Sequence, residues 1–272
     1  MKIAIIESDD PYTLDYVKGE QLCLAMPALT VKNSKFIEAV IRLDSNYSKE
    51  VKEEPYDNGF DPEACPDNQK GKYCGSQKYW FNQKLIVAKT EEEYKKALLG
   101  AIISIDRANS THLMASDDGR KCMRNRIFEK YRRLEDLKDR LKLGFNANDD
   151  DDLIRIMTQE VKSSGKQGVR YNLSFATKFC SIASRELGCG DLYSKYDSVV
   201  SKRLPMYSEI YLGEKVGNKA FQIKSASDLE SRLKVYFKYN ECIGKIMEVL
   251  KADDIKLDRD KIDHIIWYGF KG

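Results

Sequence analysis

Two histidines in 272 residues, His112 and His264, leave little imidazole for a zinc site. The seven cysteines, Cys23, Cys65, Cys74, Cys122, Cys180, Cys189 and Cys242, contain no C-x-x-C spacing, which argues against zinc held by thiolates as well. No stretch approaches the roughly twenty apolar residues that a bilayer-spanning helix needs. The opening MKIAIIESDD is too short an apolar run for a signal peptide. An excess of charge of one sign is also missing, since 46 basic residues face 43 acidic ones and the net charge is only +3. No global field announces nucleic acid, and any binding face must be local. Internal repeats, phosphate-loop motifs and Ser-His-Asp or Cys-His orderings are absent. The expectation is a cytoplasmic protein with reduced thiols, with no membrane segment, metal or cofactor.

What is present is enough apolar residue, 42%, to bury a substantial core in one large domain or two modest ones. The reading here is mainly α (α+β), with an N-terminal lobe of short strands and helices over 1–115 and a helical lobe over 116–272. In the first lobe, residues 2–6 read as a strand and Ser34 to Leu43 as a helix, and Ser45 to Tyr79 is a polar surface insertion. KLIVA, Lys84 to Ala88, suits a short strand, and Trp80 and Phe81 before it read as core anchors. Thr90-x-x-Glu93 forms a capping box for a helix bearing Tyr94, Leu98, Ile102 and Ile105.

The stretch from Arg120 to Lys142 carries ten basic residues against four acidic ones and an apolar face of Met123, Ile127, Tyr131, Leu134, Leu137 and Leu141. It reads as one long helix, either a phosphate-contacting surface or a solvated helix laced with pairs such as Glu129 with Arg133 and Asp136 with Arg140. The aspartates from Asp149 to Asp152 open the next helix, where charge complementarity at a helix N-terminus explains them more simply than a metal does. Further on, Leu204 to Lys219 reads as a loop in which Tyr207 and Tyr211 either pack or stay available to stack. Ser227-x-x-Glu230 is a second capping box, opening a long helix. A final helix from Asp260 carries Ile262, Ile265, Ile266 and Trp267; Asp263 and His264 sit on it, and the lone histidine reads as a satisfied surface or interface residue with no chemistry.

Between Thr177 and Asp197 the chain reads TKFCSIASRELGCGDLYSKYD. Phe175, Phe179 and Ile182 recur at helical spacing, with Ser174 or Asn172 as N-cap, which puts Lys178 in the first turn. On a helical wheel Lys178 falls about 60° from Phe175 and about 40° from Ile182, so it borders the buried stripe. Partial desolvation and the positive end of the helix dipole would lower the pKa of such an amine toward what a nucleophile needs. The run GCGD then stops the helix, and Asp197 caps the next one, where backbone amides hold a fixed negative charge able to stabilise an oxocarbenium ion. The plain alternative is a solvated lysine on a helix edge and an aspartate that only caps.

In this order the two residues resemble the helix-hairpin-helix DNA glycosylases, and within them the 8-oxoguanine DNA glycosylase fold. Thr177-Lys178 and Tyr196-Asp197-Ser198-Val199 take the places of that family's catalytic lysine and aspartate without a gap. The tail DHIIWYGFKG resembles the closing helix of small bacterial proteins with this fold, and the resemblance spans 150–272. It implies a degenerate helix-hairpin-helix and attack of Lys178 on deoxyribose C1′. It further implies a Schiff base, a β-lyase nick and a duplex DNA partner whose flipped base lies in a cleft between the lobes. Lys166, Arg170, Lys195, Lys202 and Arg203 are then the candidate DNA contacts. The chain departs from the family in having VRYNLSFATK where an L-P-G-[VI]-G type turn is usual, and Val199 where a histidine is usual. No iron-sulfur cysteine cluster follows. A noncatalytic nucleic-acid or protein-binding module, or amine chemistry on an unusual base in phage defence, are the other readings of the same residues.

Overall fold

The computed structural model describes residues 60–64, 74–109, 117–159, 161–162, 169–252 and 257–270, with the backbone alone at 109, 117–118, 161–162, 169–170 and 268–270. The described chain is mainly helical and falls into two compact units, one between Glu54 and Tyr193 and the other from Ser194 onward. The boundary between the lobes read over 1–115 and 116–272 falls within the first of these units. Residues 2–6 and 34–43 lie outside the described residues, as does most of the polar insertion.

The first unit opens on a π-helix, Tyr79–Leu85, where the sequence pattern suggested that KLIVA begins a strand. A short apolar run satisfies either period. Here packing decides, because the helical form buries Tyr79, Trp80, Phe81 and Leu85 together, and Phe81 meets Phe179 edge-on at 5.8 Å. Helix α1, Glu91–Asn109, begins on the expected capping box. Glu93 accepts from the Lys89 and Thr90 amides at 2.8 and 3.1 Å, and its own amide donates to Thr90 Oγ1 at 3.2 Å. The indole of Trp80 lies on α1 at Gly100, where a methyl group would come within 2.3 Å of the ring.

The basic stretch forms two helices, α2, Asp117–Lys130, and α3, Leu134–Lys142, where the sequence read as one. Arg133 is extended (φ −124°, ψ 154°), and the Tyr131 hydroxyl donates to the Asp151 carbonyl at 2.5 Å, so a tertiary bond ends α2 where no proline or glycine would. Met123, Ile127, Tyr131, Leu137 and Leu141 are buried as the apolar pattern required. The charge pairs are not the expected ones. Arg133 binds Asp136 at 2.7 Å, and buried Arg140 binds Asp149 at 2.7 Å and Asp152. Asp152 also caps α4, Leu153–Thr158, accepting from the Ile154 amide at 2.8 Å, and accepts from the Asn146 amide at 3.0 Å.

After α4, β1, Val161–Lys162, pairs antiparallel with β2, Val169–Arg170, and α5, Leu173–Glu186, follows directly. Helix α5 ends as GCGD suggested. The Cys189 amide reaches the Ser184 carbonyl at 2.7 Å and Gly188 turns left-handed at φ 69°, closing a Schellman motif.

In the second unit, α6, Ser198–Leu212, runs on through Pro205, so the segment from Leu204 to Leu212 is helix, not loop. Proline leaves the Ser201 carbonyl without its amide donor. The buried line of Val200, Leu204, Tyr207 and Ser208 carries the helix past that loss. Tyr207 is buried, a packing group, and stacks on half-buried Tyr211 at 6.1 Å. A 3-10 turn, Ile223–Ser225, leads to α7, Leu229–Ala252, which is capped by Asp228 through the Ser231 amide at 2.8 Å. Ser227, the expected cap, instead bonds Asp228. Helix α8, Arg259–Phe270, closes the chain, and no described helix is long and apolar enough to cross a membrane.

Two consequences are measurable in denaturant. Gly100→Ala drives a methyl group into the Trp80 indole and should lower unfolding stability by about 1–3 kcal/mol. Arg140→Leu leaves Asp152 buried beside a lost cation, and a loss of about 3–5 kcal/mol is expected.

Candidate functional site

Lys178 belongs to the first unit and Asp197 to the second. Helix α5 begins at Leu173, so Lys178 is its sixth residue and stands in the second turn rather than the first. Asn172 occupies the cap position without a side-chain cap bond, and Ser174 is already helical. The N-terminal field of a helix fades beyond its first turn, so the dipole contributes less at Lys178 than the sequence implied. The wheel argument holds better. Phe175, Phe179 and Ile182 are buried and Lys178 is half-buried at their edge.

Asp197 is the N-cap of α6, with extended backbone (φ −125°, ψ 144°), and one carboxylate oxygen accepts from the Val199 amide at 2.6 Å and the Val200 amide at 3.4 Å. The residues leading into it are held by α7 and α8. The Tyr236 hydroxyl donates to the Ser194 carbonyl at 2.8 Å, and the Tyr239 hydroxyl to the Lys195 carbonyl at 2.9 Å. The Ser194 amide donates to Asn240 Oδ1 at 2.7 Å, and Arg259 donates to Ser194 Oγ at 2.8 Å and to the Asn240 carbonyl at 2.7 Å. Tyr196 joins the same network, donating to Ser201 Oγ at 3.2 Å and accepting from the Ile223 amide at 3.0 Å. The cap is therefore built on a clamped strand of chain.

Of the candidate DNA contacts, Lys202 and Arg203 are exposed on α6. Lys195 is not at the surface. It is 8% exposed and its ammonium pairs with Asp260, so it is a structural cation here. A lysine in a polar loop reads as a surface charge until the acid that draws it inward, 65 positions later, is seen. Arg170 is a strand residue of β2, with only its backbone described, and Lys166 lies outside the described residues. The basic stretch offers little free charge. Arg120 pairs with buried Asp106 at 2.7 Å, Arg124 pairs with Glu63, and Lys130 pairs with Asp151 at 2.5 Å.

Asp263 was missed. It is 6% exposed on α8, and one of its carboxyl oxygens has no hydrogen-bond partner among the described residues. Burial pushes its acid up to about 7, with Asp260 and Asp197 adding in the same direction and His264 and Lys195 opposing. Tyr239, fully buried, is also pushed up, first by burial and then by the charges of Asp263 and Asp197. The sequence signal was available, because Asp263 lies about 60° from Ile266 on the wheel and borders an apolar stripe as Lys178 does. Among the described residues no group of three or more His, Cys, Asp or Glu stands together in the way that holds a metal, and the described cysteines Cys74, Cys122, Cys180, Cys189 and Cys242 are free thiols.

No protein-family description, no curated protein and no solved structure matches the chain.

A raised acid favours the fold while it is protonated in both states, and that contribution is lost as pH climbs from the unfolded value to the folded one. Asp263 should therefore cost stability between about pH 4 and pH 7, on the order of 4 kcal/mol for a rise of about three units, with no further loss above. Thermal melts across that range should show the wild-type midpoint falling, with a shallower slope in Asp263→Asn.

Proposed function

We propose that the chain is a DNA glycosylase with β-lyase activity, of the helix-hairpin-helix type, acting on a modified or damaged base. In this reading α4, the β1–β2 pair and α5 fill the place of the degenerate hairpin motif. Lys178 attacks C1′ as a neutral amine, a C–N bond forms as the glycosidic bond breaks, and the base leaves with the bonding electrons. Ring opening yields a Schiff base, and loss of the C2′ proton expels the 3′ phosphate. Asp197 helps to generate the amine and faces the positive charge that develops on the sugar. Lys202 and Arg203 on α6 contact phosphate.

The observation that carries this reading is the Asp197 cap. A carboxylate tied to two backbone amides, on a segment held by two buried tyrosines and an arginine, is a charge that does not reorganise when a cation forms nearby. Lys178 at the border of a buried stripe is the kind of amine that such chemistry uses. The second reading is a noncatalytic nucleic-acid or protein-binding module, which the exposed Lys202 and Arg203 favour, since they need no amine chemistry.

Borohydride reduction in the presence of duplexes carrying abasic sites or modified bases separates the two. The wild type should give a covalent protein–DNA adduct and strand scission. Lys178→Ala should give neither, and Asp197→Asn should slow adduct formation on the order of 10²-fold. Salt-dependent binding with no adduct on any duplex would favour the module.

A further inference from the structure

Around the Asp197 cap the second unit places more ionisable groups than the proposed reaction uses. Asp263 of α8 is buried with an oxygen that no described residue binds. One turn earlier on the same helix, Asp260 takes the ammonium of Lys195, two residues before Asp197. From α7, Tyr239 reaches the Lys195 carbonyl and feels the charges of both Asp263 and Asp197. His264 completes the set on α8. Lys195 thus acts among three carboxyls, with the Arg259 guanidinium on Ser194 and Asn240 and a half-exposed histidine in the same region.

We propose that Asp263 is a positioning residue that governs how firmly Asp197 caps α6. While its carboxyl carries a proton, the clamped segment from Ser194 to Asp197 and the first turns of α8 lie together with Asp260 matched to Lys195 and Asp197 matched to the Val199 and Val200 amides. When it ionises, a further buried negative charge appears, with an oxygen that no described residue binds. Repulsion then acts on Asp260, which holds Lys195, and on Asp197, which holds the Val199 and Val200 amides. Burial of a charge without a partner is costly, and the cheapest relief is to loosen the cap toward solvent. The raised acid of Asp263 sets this change near neutral pH. The inference rests on the proposed reaction only in taking Asp197 as the acting group.

The test is amide hydrogen exchange at Val199 and Val200 from about pH 5 to pH 8.5, expressed relative to an unfolded peptide at each pH, on the full chain. Protection in the wild type should fall about tenfold for an opening that lowers the acid by one pK unit, with a midpoint between about pH 6 and 7 and a level stretch above. Asp263→Asn should hold it level. His264→Gln removes a charge that favours the ionised acid, so the midpoint should move upward. This variant decides the matter if Asp263→Asn does not fold. Level protection in the wild type, a fall that persists in Asp263→Asn, or an unmoved midpoint in His264→Gln would each overturn the proposal. Adduct yield on abasic DNA is read separately. A wild type that traps no DNA but shows the fall removes the glycosylase reading and leaves the positioning role of Asp263 standing.

Discussion

The second unit depends on how four residues of irregular chain, Ser194 to Asp197, are kept in place. Irregular backbone in an interior has amides and carbonyls that no helix satisfies, and each one left bare is expensive. Tyr236, Tyr239 and Asn240 supply missing partners from α7, and Arg259 of α8 braces the Ser194 hydroxyl and Asn240. The same bonds that solve this problem also aim the Asp197 carboxylate, so stability and any chemistry at this cap share one set of residues. Gly244 belongs to that set. A methyl group there would come within 2.6 Å of the Arg259 guanidinium, so the bare backbone of α7 is what lets the arginine lie down.

Charge is spent inward in both units. Arg120 with Asp106, Arg140 with Asp149 and Asp152, and Lys195 with Asp260 are interior or half-interior pairs, and each ties together residues on different elements or connections. A near-balanced composition thus reflects internal matching as much as a mixed surface. Pairs of this kind add little net stability over apolar contacts, but they punish the loss of one member and so select one arrangement over its rivals. For the α2–α3 strip the consequence is that a run rich in arginine presents far less uncompensated charge than its count suggests.

Local chemistry was the legible part of the sequence. The Thr90–Glu93 box, the Asp197 and Asp152 caps, the stop at GCGD and the apolar faces of α1 and α5 all follow from short-range rules that neighbours in sequence obey. Illegible were features set by distant partners. The Tyr131 bond that ends α2, the π-helix around Trp80, the continuation of α6 through Pro205 and the inward turn of Lys195 each depend on a residue or surface that no window of ten positions contains. Asp263 lies between these cases, because its place on the wheel was visible while the carboxyls and tyrosine around it were not.

The guanidinium of Arg140 touches the Gly144 carbonyl and the carboxylates of Asp149 and Asp152, while Arg155 reaches back to the Ala147 carbonyl at 2.6 Å. A connection tied down at four points by two rigid forks behaves as a casting rather than a tether. Its residue count is then as constrained as a core side chain, and the usual licence of surface loops to lengthen or shorten stops at this bend.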